Sequence, residues 1–230
     1  MGITRLPGDP PLDVTLRRSA RARRYSLRIS QLDGRVTLTL PHRAPLAEGL
    51  AFLREKEGWI RGHLDARPDG QTVELGGSVP FRGRPLPLVP GRGRAPCLVD
   101  GALAVPGPPE RVAARVQGFL KTQARDALSA AVERHASTLG RPYGRITLRD
   151  TRSRWGSCSW RGDLMFSWRL IMAPAEVLDY VAAHEVAHLA EMNHSAAYWA
   201  VVRGLLPDYE APRAWLRANG TALHRVRFGD

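Results

Sequence analysis

Apolar residues recur along this chain with two distinct periods. Val36, Leu38 and Leu40 alternate with Thr37 and Thr39, the period of a half-buried strand. Asp33-Gly34 before them is a hairpin turn signal, which makes the run 25–29 the partner strand. A second such signal, Asp100-Gly101, separates Cys97-Leu98-Val99 from Ala102-Leu103-Ala104-Val105. Between the hairpins, Leu46, Leu50, Leu53, Ile60 and Leu64 fall near helical spacing and predict one helix over residues 45–64. Residues 76–96 are dense in Gly, Pro and Arg, which predicts short strands joined by tight turns.

Pro106-Gly107-Pro108-Pro109 punctuates the chain and is the expected domain boundary. It divides a β-rich N-terminal domain with one helix (1–106) from a second domain (107–230). Pro109 suits a first helical position and Glu110 the positive end of a helix dipole. From there Val112, Val116, Phe119, Leu120, Ala124, Leu128, Ala131, Val132, His135 and Leu139 mark a long amphipathic helix that Gly140 and Pro142 end. Two strands are expected next, at 145–149 and 164–171, with residues 154–159 leading into a turn at 160–163. Pro174 and Glu176 then open a helix running to about residue 192. The predicted class is α+β.

Composition narrows the partners. Hydrophobic content of 43% and charged content of 24% are those of an ordinary globular chain, without the long apolar run a membrane helix needs. Met1–Gly8 lacks the apolar core of a secretory signal, and Leu6 stands where a myristoylation motif wants Ser or Thr. Two cysteines, Cys97 and Cys158, are too few for a disulfide framework or a cysteine zinc site, so a reducing cytoplasm is the expected compartment. Net charge is +12, but of the 34 basic residues only Lys56 and Lys121 are lysine, a skew typical of codon composition. The one dense cluster is Arg17, Arg18, Arg21, Arg23 and Arg24. It reads as a charged edge strand, with an anion-binding patch for nucleic acid as the alternative.

The chemistry concentrates in His184-Glu185-Val186-Ala187-His188. Residues four apart on a helix lie about 40° apart around the axis and about 6 Å along it. His184 and His188 therefore present two imidazoles to one cation, as zinc requires. Glu185 places a carboxylate beside the metal, where it can take a proton from an activated water and pass it to a leaving amine. Glu191 and His194 compete to be the third ligand. Glu191 stays on the same face if the helix continues. His194 arrives only if the helix stops near Met192 and the chain folds back, with Asn193 in a left-handed turn and Ser195 capping a new helix. The stop-and-cap signal favours His194. Trp155, Trp168 and Tyr198 read as packing aromatics, Arg154 as a surface or salt-bridging residue, and Cys158 as a small buried hydrophobe. His42, His63, His135 and His224 have no partner spacing.

Arg154-Trp155-Gly156-Ser157-Cys158, Trp168-Arg169-Leu170, the histidine motif and Asn193-His194-Ser195 followed by Tyr198-Trp199 together resemble the YgjP-like metallopeptidase family, which has SprT-type zincins among its relatives. The resemblance spans nearly the whole chain and is strongest over 152–200. It implies a zincin-like fold, a small sheet packed on two long helices, with His184, His188 and His194 as Zn2+ ligands and Glu185 as general base. Metzincins share the histidine spacing but have Gly where this chain has Glu191. In zincins a strand beside the active helix takes up extended substrate, and residues 164–170 are the expected strand here. The function implied is a zinc metallopeptidase acting on a protein or peptide. The alternatives are a zincin domain recruited by DNA or RNA and a zinc-binding module without catalysis.

Overall fold

The computed structural model describes residues 2–30, 34–66 and 70–229. The chain forms two units, Met1–Asp69 and Gly70–Asp230. In the first, strands β1 (Gly2–Leu6), β2 (Leu12–Ser19), β3 (Ser26–Ile29) and β4 (Val36–Pro41) make a mixed sheet in the order β1-β2-β4-β3. The period-two reading of β4 holds: Val36, Leu38 and Leu40 are buried with Val14, Leu53 and Ile60. Of the expected Asp33-Gly34 turn, Asp33 lies outside the described residues, and Gly34 has φ +73°. The helix expected over 45–64 is two helices, α1 (Leu46–Glu55) and α2 (Glu57–Asp65), parted at Lys56, whose ψ of 4° leaves the helical range. The arginine cluster does not lie on an edge strand. Arg17 and Arg18 belong to β2, an interior strand paired in parallel with β4, and the Arg18 guanidinium donates to the carbonyls of Pro41, His42 and Ala44.

The second unit begins earlier than the Pro-rich boundary at 106. Strands β5 (Ser78–Phe81), β6 (Arg84–Pro90), β7 (Cys97–Val99) and β8 (Ala102–Val105) form a mixed sheet in the order β5-β6-β8-β7. Its Val79, Leu86, Leu88, Leu103 and Val105 share one core with helix α3 (Val112–Leu139), so residues 70–106 pack with the C-terminal part of the chain. The Asp100-Gly101 turn is as expected, with φ +46° and +77° at the two positions, the combination that matches the twist of a two-residue hairpin. α3 presents Val112, Val116, Leu120, Ala124 and Leu128 at four-residue spacing, and Gly140 ends it in the left-handed conformation at φ +67°.

A three-stranded sheet comes next, in the order β10-β11-β9, from β9 (Ile146–Arg149), β10 (Gly156–Cys158) and β11 (Leu164–Ser167). β11 is antiparallel to β10 and parallel to β9. The strand expected over 164–171 gives way after Ser167 to a buried 3-10 turn, Trp168–Met172. β11 is also the middle strand, paired on both sides, and so has no free edge for a substrate. Helices α4 (Ala175–Ala187), α5 (Ala196–Leu205) and α6 (Glu210–Leu223) complete the unit. The class is mixed α and β, with several small mixed sheets and six α-helices among the described residues. No helix among them is long and apolar enough to cross a membrane.

Arg169 fastens this unit from inside. Only 9% exposed, it forks onto both oxygens of Asp150 at 2.7 and 3.1 Å and donates to the carbonyls of Leu223 and Val226 at 2.8 and 3.0 Å. The 3-10 turn, the end of β9 and the end of α6 thus converge on one planar donor, which lysine cannot imitate. Arg169→Met should lower unfolding stability by about 3 kcal/mol, since it strands buried acceptors, and Arg169→Lys should recover less than half of that. Urea midpoints check this; a loss within experimental error would show that the clamp does not hold these ends.

Candidate metal centre

The segment that carries the histidine motif is helical because Pro174 starts it and apolar residues fill most of it. Val177, Leu178, Val181, Ala182, Ala183, Val186 and Ala187 are all buried. The helix ends sooner than expected. α4 stops at Ala187, with His188 at its C-cap, and the next N–H groups close tight turns, Leu189 onto the Val186 carbonyl and Ala190 onto that of Ala187. The chain then reverses through a narrow bend in which the Ser195 N–H donates to the Asn193 carbonyl at 2.7 Å. Asn193 is not among the positive-φ residues, so the reversal uses no left-handed residue there. Ser195 caps α5 as expected, its Oγ accepting from the Tyr198 N–H at 3.2 Å.

This reversal delivers His194. The ligand nitrogens of His184, His188 and His194 all lie within 4.8 Å of one another, and the Nε2 atoms of His184 and His194 face each other at 3.2 Å. Four donors at about 2.0–2.1 Å around a tetrahedral zinc stand about 3.3 Å apart, so the closest pair already has a ligating separation. His188 is oriented from behind: its Nδ1 lies 3.0 Å from the Glu191 carbonyl, a bond that keeps the proton on Nδ1 and turns the Nε2 lone pair outward. Glu191 thus contributes its backbone rather than its carboxylate to the group. Burial first, then the nearby His188, His194 and Arg213, push His184 down to about 3, and burial lowers His188 as well. Three imidazoles suit zinc and its transition-metal neighbours and not calcium or magnesium. The residues present fit a metal ion.

Glu185 is 5% exposed and has no hydrogen-bond partner among the described residues. Burial pushes its carboxyl up to about 8, with the Arg154 charge opposing. Its carboxylate and the three histidines line a cavity of about 470 Å³ with Arg154, Gly156 and Cys158. Gly156 belongs to β10 and lies directly over the carboxylate: a Cβ there would fall 2.5 Å from Glu185 Oε1. The spacing of residue types does not reveal this contact, because it is made by a missing side chain. Arg154, expected at the surface or in a salt bridge, is exposed as expected and also lines the cavity. Cys158 lines it as a thiol, pushed up to about 11 by burial and the Glu185 charge. Tyr198 is fully buried, and its hydroxyl donates to the His184 carbonyl at 2.9 Å, bracing the end of α4. Trp168 is buried, whereas half-buried Trp155 stacks near His224. His135 is buried on α3 and bonds Asp179 of α4 at 2.8 Å.

The model of the YgjP-like metallopeptidase domain matches residues 23–219. No curated protein matches the chain. Among solved structures, the metallopeptidase zymogen of Pyrococcus abyssi abylysin aligns at 21% identity over 40% of this chain and 92% of that one, with a TM-score of 0.36. That likeness is too low to carry an argument about the fold. The family match spans most of the chain and encloses the whole histidine group, so the protein belongs to the YgjP-like metallopeptidase family.

Proposed function

We propose that the chain is a zinc-dependent peptidase of zincin-like build, in which His184, His188 and His194 hold the metal and Glu185 is the general base. The observation that carries this reading is the convergence of three imidazole nitrogens within 4.8 Å beside a buried carboxylate that makes no ion pair or hydrogen bond among the described residues. Zinc, when bound, supplies a Lewis acid that acidifies water toward neutrality and polarises a carbonyl. The protein's own part is positional. Glu185 Oε receives the proton of the attacking water and returns it to the departing amine. Its buried setting raises its basicity, and Arg154 supplies a positive charge on the same cavity wall. Tyr198, committed to the His184 carbonyl, holds the first ligand's backbone in place.

Substrate enters most simply along β10. That strand is the edge of its sheet, and Gly156, Ser157 and Cys158 line the cavity. An extended peptide pairing with its open side would be held by backbone hydrogen bonds that read no side chain. A purely structural metal site has no use for a buried base, which weighs against a non-catalytic module.

Purified protein should hold zinc in proportion to chain, and His188→Ala or His194→Ala should lose it while Glu191→Gln keeps it. Glu185→Gln should retain zinc and lose about 10²- to 10⁴-fold in hydrolysis of a fluorogenic peptide library. Full activity in that variant would falsify the role of Glu185 even with metal bound. Gly156→Ala tests the placement of the carboxylate. It should cost about 1–3 kcal/mol of stability alone and nearly nothing in a Glu185→Ala background, because only the Cβ-to-carboxylate clash is at issue. Equal costs in the two backgrounds, measured by denaturant unfolding, would remove the contact from the account.

A further inference from the structure

The hydrolytic reading leaves a second cavity unused. It has a volume of about 510 Å³ and lies on the other side of His184 and His194, which line it together with Trp155, Trp199, Arg213 and Arg217. Arg213 and Arg217 stand one turn apart on α6, so their guanidinium groups point the same way. No carboxylate lines the cavity. Among the described residues neither arginine is in an ion pair or a side-chain hydrogen bond, although their unit pairs Arg134, Arg145 and Arg169 with acids.

Arg213 is nevertheless held. Its guanidinium lies 4.2 Å from the centre of the Trp199 ring. Trp199 stacks on Tyr209 at 5.4 Å and Tyr209 on Tyr180 at 6.4 Å, which gives the arginine a rigid aromatic backing. Stacking fixes a guanidinium plane and leaves its N–H edge free, the preorganised state in which a planar fork meets a carboxylate. The same column reaches the metal candidates, since the Trp199 ring is 6.0 Å from both His184 and His194. Two cations with no protein anion, one of them immobilised, therefore border the histidine group.

We propose that this cavity is a recognition subsite for a carboxylate on the substrate, gripped by Arg213 and Arg217 next to the scissile bond. The ligand is an acidic peptide, and its carboxylate comes from a Glu or Asp side chain or from the chain end. The inference rests on the peptidase reading for its meaning, because the subsite and the candidate metal centre share two residues. Selectivity works in both directions: a carboxylate gains charge-assisted hydrogen bonds, and a basic side chain meets two like charges.

The test is peptide binding to full-length, zinc-loaded Glu185→Gln protein, followed by fluorescence anisotropy. Four fluorescein-labelled probes are compared: a C-terminally amidated Glu/Gly peptide, its amidated Lys/Gly counterpart, and a Gly/Ser peptide prepared both with a free C-terminal carboxylate and as its amide. The amidated Glu peptide should bind at least about tenfold more tightly than the Lys peptide if a side chain is read. If the chain end is read, the free-acid Gly/Ser peptide should outbind its own amide by a similar factor. In either case Arg213→Gln with Arg217→Gln should abolish the preference. The same loss of charge at exposed Arg92 and Arg94 should leave it intact. Arg213→Glu with Arg217→Glu should turn the preference toward the Lys peptide, a gain that a misfolded variant cannot produce. Removing zinc with a chelator should leave the arginine-dependent part of the preference in place.

Equal affinity for all probes, or a preference that survives Arg213→Gln with Arg217→Gln, overturns the subsite. So does a preference lost equally in the Arg92 and Arg94 variant. The two readings fail separately. Arginine-dependent binding in a protein whose wild type cleaves no peptide would sink the peptidase reading and leave the subsite standing. Cleavage indifferent to carboxylates would do the reverse.

Discussion

α4 is apolar on almost every side, and the rest of the site depends on where that helix has to lie. A helix with no polar face must be enclosed, and the buried side chains from Val177 to Ala187 are enclosed by the core they share with α3 and β11. Polar groups carried into such a place are costly unless something satisfies them. His135 on α3 and Asp179 on α4 satisfy each other at 2.8 Å, a pairing whose effect is structural. His184, Glu185 and His188 sit at the other end of the helix and are treated differently. The imidazoles face one another and the carboxylate faces a cavity, an arrangement that a shared cation would stabilise. Burial here serves the chemistry rather than the packing.

The early end of α4 turns this pressure into a three-residue group. A helix continued to Met192 would have carried Glu191 round to the same face and His194 well away from it. Stopping at Ala187 frees the Glu191 carbonyl to hold His188 and lets the chain reverse within a few residues. The cap at Ser195 then launches α5 so that Tyr198 can reach back to the His184 carbonyl. Each of these bonds is short-range, yet together they set the separation of ligands ten positions apart in sequence. That His194 rather than Glu191 comes to stand beside His184 and His188 thus follows from backbone hydrogen bonding.

Much of this is legible in the residues, and the exceptions have physical causes. Period-two and four-residue spacings locate β4, β8 and α3, because burial on one face imposes those periods whatever lies opposite. The motif and the Ser195 cap are legible because each is a local pattern with a local partner. Where elements stop is less so: Trp168–Met172 tightens into a 3-10 turn because Arg169 is held by Asp150, Leu223 and Val226, partners far away in sequence. The boundary at 106 misleads for a related reason, since a run of prolines reports a rigid connection and not which core lies on either side. Gly156 appears in sequence only as part of the segment that carries the family resemblance, and Arg213 and Arg217 are not singled out at all. Their importance lies in what stands opposite them, and no spacing rule reaches from β10 or α6 to α4.

His184 and His194 form the common wall of two cavities with opposite chemistry. On one side stand the buried Glu185 carboxylate and the open edge of β10; on the other stand stacked aromatics and two arginines without acid partners. A hydrolytic site needs such asymmetry, because a base must stay unpaired to accept a proton and would be silenced by an arginine in direct contact. Arg213 and Arg217 lie across the histidine wall from Glu185, and Arg154, the arginine lining its own cavity, makes no ion pair or hydrogen bond with it among the described residues. The same surroundings explain the direction of His184, whose ring is lowered by burial first, then by the nearby His188 and His194, and least by Arg213. A neutral ring is what a metal ligand requires, so the charges that favour an acidic substrate and the condition that favours metal binding act in the same sense.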